Sequence, residues 1–335
     1  MNTSEKILSI LSQSSPDFVS GEDIAAAAGV SRTSVWKSIK KLASQGYQIE
    51  SGYNKGYRLA AAADPFYADG IELPEGWNLM FFPELPSTNA YLKDLLRNPP
   101  RETAEAEHAP STAKLPEGTV VIAAQQTQGR GRLGRSFYSP GNTGVYVSIL
   151  LRPDLPAEKA AGITAAAAVA VSRAIEEICG PATGIKWVND IYRDGKKVCG
   201  ILTEASMDME SGSLEYVIVG IGINVFPPEG GFPDEIKNAA GSVFDEIIPG
   251  ARNRLCSSLL KNMAQLSAGI ADNSHAPEYR GRSCVIGKKV TVYGIGGGSS
   301  FPATVKDIDD DCHLIVETED GKIKTLSSGE ISIRL

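Results

Sequence analysis

Apolar positions in the first sixty residues recur at helical spacing and are interrupted by short polar or glycine-containing turns. This pattern predicts a helix over residues 4–13, a second over 21–28, a turn at Gly29 and a third helix N-capped by Ser31. On the third helix Val35, Ile39 and Leu42 fall at i, i+4 and i+7 and form the stripe to be buried, which leaves Thr33, Lys37, Lys40 and Lys41 on the opposite face. Beyond Gly46, residues 47–50 and 56–59 flank a turn at 51–55 and read as a hairpin, so the segment has the outline of a winged helix-turn-helix. Further along, 120–124 and 145–151 are apolar enough for buried strands, 89–97 for a helix, and the alanine-rich stretch 157–179 for a core helix ended by Gly180-Pro181. After a helix around 252–270, the run Tyr279-Arg280-Gly281-Arg282-Ser283 leads to short alternating strands reaching Ile333. Turn residues at 309–311 and 319–321 divide them, the pattern of an SH3-like small β-barrel. Residues 98–118 carry no apolar periodicity and are too long for a simple helix–strand connection, so they read as a flexible surface insertion.

A length of 335 residues suggests two or more domains with ample core. The longest apolar run, 163–171, is too short for a membrane span, and the N-terminal segment, with Glu5, lacks a secretory pattern, so a cytoplasmic chain with no membrane partner is expected. Five cysteines without C-x-x-C spacing and three histidines far apart in sequence argue against a zinc site or a disulfide framework, and no metal ligand set is assigned. Net charge is −7, but residues 31–59 hold Arg32, Lys37, Lys40, Lys41, Lys55 and Arg58 against the single anion Glu50, a local +5. A basic patch on an acidic chain is compatible with DNA contact through Arg32, Thr33, Ser34, Lys37, Lys40, Lys41 and Lys55. The alternative is a protein-docking winged helix whose lysines only keep its surface soluble.

The strongest chemical signal is Gly129-Arg130-Gly131-Arg132-Leu133-Gly134-Arg135, followed about fifty residues later by Lys186-Trp187-Val188-Asn189-Asp190. Glycines let backbone N–H groups approach a ligand, and arginine supplies bidentate donors for phosphate or carboxylate. The G-x-G-x-x-G spacing alone is weak, and a dinucleotide fingerprint would open a helix, whereas residues 136–142 are rich in turn formers. In an extended segment Arg130 and Arg132 share one side. A solvated basic loop is the bland alternative.

Together with Pro86-Ser87-Thr88-Asn89, Gln126, Gly200-Ile201-Leu202 and Gly220-Ile221-Gly222-Ile223-Asn224, in this order and spacing, the pattern resembles the biotin protein ligases. The likeness runs from about Leu85 to the C-terminus, and the additional N-terminal segment resembles the longer, BirA-type members that are both ligase and repressor of biotin genes. The resemblance implies an α+β (mixed α/β) chain of three parts: a winged helix-turn-helix at 1–63, a biotin/lipoate-ligase-like α/β catalytic domain at 64–282, and the small barrel at 283–335. It implies that biotin and MgATP form biotinyl-5′-AMP, whose acyl group passes to a lysine of a biotin carboxyl-carrier protein or domain. It further implies that biotinyl-5′-AMP is the corepressor, promoting a homodimer on operator DNA.

By the same resemblance Lys186, Arg130 and Arg132 carry the chemistry, with Lys186 beside the biotin carboxylate and the α-phosphate. Ser87, Thr88, Asn89, Gln126, Arg130, Gly131, Arg132 and Lys186 bind biotin. Gly129, Arg132, Arg135, Phe137, Asn189 and Asn224 serve ATP or the adenylate, Asn224 following a bend at 220–222. Without the resemblance, Ser87 or Thr88 reads as a helix N-cap and Lys186 as a snorkelling edge residue. Val188 stands where a proline is usual and Phe137 where a tryptophan is usual; neither removes a charged contact. A lipoate- or octanoate-type acyl ligase and a non-enzymatic biotin-sensing repressor are the alternative functions.

Overall fold

The computed structural model describes residues 3–14, 17–44, 47–53, 55–59, 64–98, 115–180, 182–208, 210–294 and 300–333. The insertion expected at 98–118, with His108, lies mostly outside the described residues, as do Gly46 and Pro181. Chain contacts divide the molecule into two units, one of residues 1–71 with 244–254 and one of residues 72–243 with 255–335.

The first unit contains α1 (Thr3–Ser14), α2 (Gly21–Ala28), α3 (Arg32–Ser44) and the antiparallel pair β1 (Ile49–Gly52) and β2 (Gly56–Leu59). Helix α2 starts where Ser20 accepts the Asp23 N–H and stops at Gly29 in the left-handed region, a conformation glycine adopts without a Cβ penalty. Ser31 accepts the Ser34 N–H at 3.2 Å, the cap expected for α3. Val35, Ile39 and Leu42 join Ile7, Leu11, Ile24 and Leu59 in one buried cluster. The wing's first strand spans 49–52 rather than 47–50, because Tyr47 is drawn into that cluster. The same unit holds a fully buried ion pair, Arg252 Nε to Asp64 Oδ2 at 2.7 Å, which pins Asp64 to the segment 244–254.

The second unit is built on a seven-stranded sheet in the order β3-β4-β5-β9-β8-β7-β6. Its elements in chain order are β3 (Asn78–Phe82), α4 (Thr88–Arg97), β4 (Thr119–Ala123), β5 (Gly144–Leu151), α5 (Ala160–Cys179), β6 (Gly184–Lys186), β7 (Asp190–Arg193), β8 (Lys196–Met207) and β9 (Leu214–Asn224). Only β3 and β4 pair in parallel; every other ladder of this sheet is antiparallel. Residues 157–159 form a 3-10 turn, so the alanine-rich helix α5 begins three residues later than its composition predicts. Helix α6 (Ala251–Ser267) ends before the predicted 270, and Tyr279-Arg280-Gly281 belongs to a separate short helix, α7 (Ala276–Gly281). The C-terminal strands β10 (Lys289–Tyr293), β11 (Phe301–Ile308), β12 (Leu314–Thr318), β13 (Ile323–Leu326) and β14 (Glu330–Ile333) pair antiparallel in the order β13-β12-β11-β10-β14. The strands expected of a small barrel are present, with no ladder joining the two outer strands among the described residues.

Candidate active site

Along a strand side chains alternate between faces, and directly opposed residues share one. Tyr146, Ser148 and Leu150 of β5 therefore lie on the same face as Gly222, Gly220 and Ile218 of β9, and as Gly200, Leu202 and Glu204 of β8. Leu150 and Ile218 pack with Leu92 of α4. Nearer the other end of that face, the glycines open a floor. A Cβ on Gly220 would lie 2.2 Å from Asn89 Oδ1, and one on Gly222 would lie 2.5 Å from the Phe137 ring. Strand β9 runs unbroken from Leu214 to Asn224, so the bend expected at 220–222 is absent; these glycines serve close approach instead.

On this floor lies a cleft of about 940 Å3, counted to its open mouth. Ser87, Thr88, Asn89, Gln126, Arg130, Gly131, Arg132, Arg135, Phe137, Lys186 and Asn189 line it, all from the residues singled out by sequence. Gly129 and Asn224 do not. Phe137 donates its N–H to the Gly129 carbonyl at 2.8 Å, and Asn224 is buried with its amide donating to Gly241 O at 3.0 Å.

At one end of the cleft the polar groups are uncharged: Ser87, Thr88 and Asn89 are buried and Gln126 is half-buried. Ser87 caps α4, accepting the Ala90 N–H at 3.4 Å, so the bland N-cap role is real and leaves its own hydroxyl proton for a ligand. The Thr88 N–H donates to Gln126 Oε1 at 2.9 Å, and Gln126 Nε2 donates to Ser139 Oγ at 3.0 Å, which orients the Gln126 amide. Asn89 Nδ2 donates to Leu202 O at 3.2 Å and to Glu204 Oε2 at 3.0 Å.

The rest of the cleft is lined by the cations Arg130, Arg132, Arg135, Lys186 and Lys197 and by the carboxylate of Asp190, which Lys197 holds at 2.6 Å; Arg130 also lies within electrostatic reach of Glu204. The glycine-rich segment is an arch rather than a straight strand: Arg130 bridges to Ser136, Gly131 N–H donates to Arg135 O at 2.7 Å, and Leu133 and Gly134 turn at positive φ. The extended reading of Arg130 and Arg132 holds only as far as Gly131, yet both side chains reach the cleft. Arg132 donates to Asn189 Oδ1 and to the Gly329 carbonyl, each at 3.2 Å. Lys186 ends β6 with its ammonium 5.7 Å from the Tyr192 ring centre. Burial, with Asp190 nearby, pushes the Tyr192 phenol up to about 12, so it is neutral beside Lys186. The segment after Lys186 is fastened by the Trp187 indole donating to Cys312 O at 3.0 Å and by the Tyr279 hydroxyl donating to Val188 O at 2.9 Å.

Sequence reasoning missed Lys197 and the C-terminal contributors Gly329 and Ile331, the last of which lines the cleft, and quoted Asp190 in the Lys186 run without giving it a role. Lys197 stands three residues before Gly200, inside a recognised motif region, and that proximity was the available signal. Nothing local marks Gly329 or Ile331.

In the first unit Arg32, Thr33, Lys37, Lys40, Lys41 and Lys55 are exposed, and Ser34 is half-buried. Two cations of the basic patch are already paired: Arg32 with Glu22 at 2.9 Å and Arg58 with Glu50 at 2.7 Å. Lys40 stacks 4.1 Å from the centre of the exposed Trp36 ring. Among the described residues no helix is long and apolar enough to cross a membrane.

The sequence matches three family models: an HTH domain at residues 3–58, the biotin/lipoate A/B protein ligase family at 97–224, and the biotin protein ligase C-terminal domain at 285–334. It is 40% identical over 242 residues to the bifunctional ligase/repressor BirA of Bacillus subtilis, covering 71% of this chain and 69% of the relative. The BirA of Escherichia coli is 26% identical over 344 residues, covering 98% of this chain and 96% of that one. Among solved structures, the Aquifex aeolicus biotin protein ligase in complex with biotin and ATP is similar at TM-score 0.58 and 28% identity, over 77% of this chain and 98% of that chain.

Proposed function

The chain belongs to the biotin protein ligase family, in its bifunctional BirA-type branch, and from that premise we propose how its cleft carries out biotinylation. Its function is ATP-dependent biotinylation of a carrier-protein lysine, combined with transcriptional repression. The observation that carries the residue assignment is the cleft's division into a buried uncharged end and a five-cation end.

The uncharged end takes the ureido ring, with Ser87, Thr88, Asn89 and Gln126 meeting its carbonyl and N–H groups. The cationic end takes the biotin carboxylate and the ATP phosphates. In the first step a carboxylate oxygen attacks the α-phosphorus and pyrophosphate leaves, giving biotinyl-5′-AMP. Negative charge builds on the phosphoryl oxygens, and a fixed ammonium at Lys186 with guanidinium groups at Arg130 and Arg132 stabilises it. Arg135, Phe137 and Asn189 hold the adenylate, while Gly129 and Asn224 act indirectly, by closing the arch and the strand end beside it. In the second step the carrier amine attacks the acyl carbon, AMP leaves and a proton is released. Closure of the arch excludes water meanwhile.

Magnesium would enter with ATP and offset charge on its phosphates, and among the described residues lining the cleft Asp190, paired with Lys197, is the carboxylate that would be nearest to hold it. An octanoate or lipoate tail is disfavoured, because it has no groups to satisfy the ring end. A sensor without catalysis would have no use for five cations at the far end.

Residues 1–63 bind operator DNA through the exposed face of α3 and the wing residue Lys55, residues 64–282 carry the ligase chemistry, and 283–335 complete the cleft with Gly329 and Ile331. Biotinyl-5′-AMP orders the arch and promotes a homodimer able to bind two half-sites. The expected site of action is the cytoplasm.

The test incubates the full chain with MgATP, biotin and an apo biotin-carrier domain and reads intact carrier mass. A biotin-sized gain that requires ATP is expected; biotin binding with no gain overturns the ligase reading. Sedimentation with and without biotinyl-5′-AMP tests the dimer, an unchanged association state removing it.

A further inference from the structure

Ser148 lines no part of the cleft, yet it is completely buried directly beneath Thr88 and Asn89, with its Oγ 2.7 Å from Thr88 Oγ1 and 2.5 Å from Asn89 Oδ1. The proton positions in this cluster follow from chemistry. Both Asn89 Nδ2 contacts, Leu202 O and Glu204 Oε2, are obligate acceptors, so the Asn89 amide nitrogen points there and its oxygen points at Ser148. Ser148 Oγ is placed to donate to Asn89 Oδ1 and to Thr88 Oγ1, and the Thr88 hydroxyl in turn donates to Gln126 Oε1 at 3.2 Å, an acceptor only. The Thr88 proton is thereby used inside the wall, and what it shows a ligand is a lone pair.

We propose that Glu204, through Asn89 and Ser148, fixes the Thr88 hydroxyl so that it meets the ligand solely as a hydrogen-bond acceptor, making Ser148 and Glu204 positioning residues that select a ring N–H. The proposal rests on the reading of this end as the ureido subsite. Glu204 suits the anchoring role: Lys93 holds its other oxygen at 3.1 Å, and the strand register places it on the same face as Ser148. A buried polar cluster with every proton committed rejects a ligand of the wrong polarity, because a ring oxygen would face the Thr88 lone pair.

The test measures calorimetric Kd values of the full chain for biotin and for the two cyclic-carbamate analogues in which one or the other ring N–H is replaced by oxygen. The wild type is expected to prefer biotin over at least one isomer by about a hundredfold or more. In Ser148→Ala the Thr88 hydroxyl loses the buried donor that holds its orientation, and that preference narrows by about tenfold. Equal weakening of all three ligands, or an unchanged ratio, overturns the proposal. Glu204→Gln, which keeps the side-chain volume, provides the second measurement should Ser148→Ala unfold. It is expected to narrow the same ratio several-fold, and an unchanged ratio in that variant also overturns the proposal. Failure of the wild type to bind biotin removes the ureido reading itself, an outcome distinct from a wild type that binds biotin with a ratio these variants leave untouched.

Discussion

At the uncharged end of the cleft Ser87, Thr88 and Asn89 are buried, the last two linked through the Ser148 beneath them by contacts of 2.7 and 2.5 Å, whereas at the cationic end Arg132 reaches two oxygens at 3.2 Å and stands on an arch with Leu133 and Gly134 at positive φ. The first end rests on α4, β5, β8 and β9, so its geometry is set once the sheet forms. The second adds to Lys186, Asp190 and Lys197 of β6, β7 and β8 a loop, the segment after β6 and the Gly329 carbonyl just before β14. A neutral ring is recognised by fixed donors and acceptors, which reward rigidity. Charge that develops during reaction is met by cations that can close on it once the ligand is present.

This contrast predicts that variants at the two ends fail differently. The largest effect is expected at Lys186. Lys186→Met should lower the rate of biotin-dependent pyrophosphate release at saturating substrates by about 10²–10³-fold, while the calorimetric biotin Kd without ATP rises only a few-fold. Loss of biotin binding as large as the loss of rate would show that Lys186 works mainly as a carboxylate anchor and would break the division between the ends.

The opposite signature is expected from Gly220→Ala. Its new Cβ would sit 2.2 Å from Asn89 Oδ1, backed by the buried Ser148, so Asn89 must leave its place. Biotin affinity should fall by about tenfold or more, with the rate at saturating biotin changing less than about threefold. Crowding of this kind costs about 1–3 kcal/mol of stability, to be read by denaturant titration. If affinity holds and the rate collapses, the floor is a catalytic rather than a recognition element.

How far each end could be read from sequence follows from the same contrast. The arginines, Lys186 and Asn189 are legible because charged or amide residues cluster in two short runs. The α3 stripe of Val35, Ile39 and Leu42 is legible because helical periodicity is local. Ser148 is invisible: a serine inside the apolar run 144–151 reads as a minor break in a strand, and its meaning comes from β9, more than seventy residues away, placing Gly220 opposite it. Gly220 and Gly222 suggested a bend for the same reason, since glycine in a sequence signals turn and close approach alike. Lys197 enters the cleft, and the Gly329 carbonyl meets Arg132, only through tertiary pairing, as does the hydrogen bond from the Trp187 indole to the Cys312 carbonyl just before β12.

The smallest expected effect is in pH dependence, and it sharpens the comparison at the ring end. Partial burial alone would raise the Glu204 carboxyl, but the Asn89 amide and the Lys93 ammonium, helped by Arg130, outweigh it and hold the group below its usual 4.5. A carboxylate depressed in the folded state contributes its full stabilisation above the unfolded value and loses it as pH falls through the lower folded value. Biotin affinity carried through Glu204 should therefore be flat from pH 7 down to about 4.5 and decline only below that. Glu176 and Glu278, paired with Arg282 and Arg173, are lowered too and weaken overall stability in the same acid window. The informative quantity is thus the difference between wild type and Glu204→Gln in calorimetric biotin Kd, measured where both remain folded. A wild-type affinity that drops more steeply on acidification than that of the Gln variant, which keeps only the fall from protonation of the biotin carboxylate itself, assigns the excess to Glu204. Parallel curves would place the acid sensitivity in the general fold and in the ligand's own carboxyl, leaving the ring end rigid for reasons unconnected with the half-buried Glu204 carboxylate.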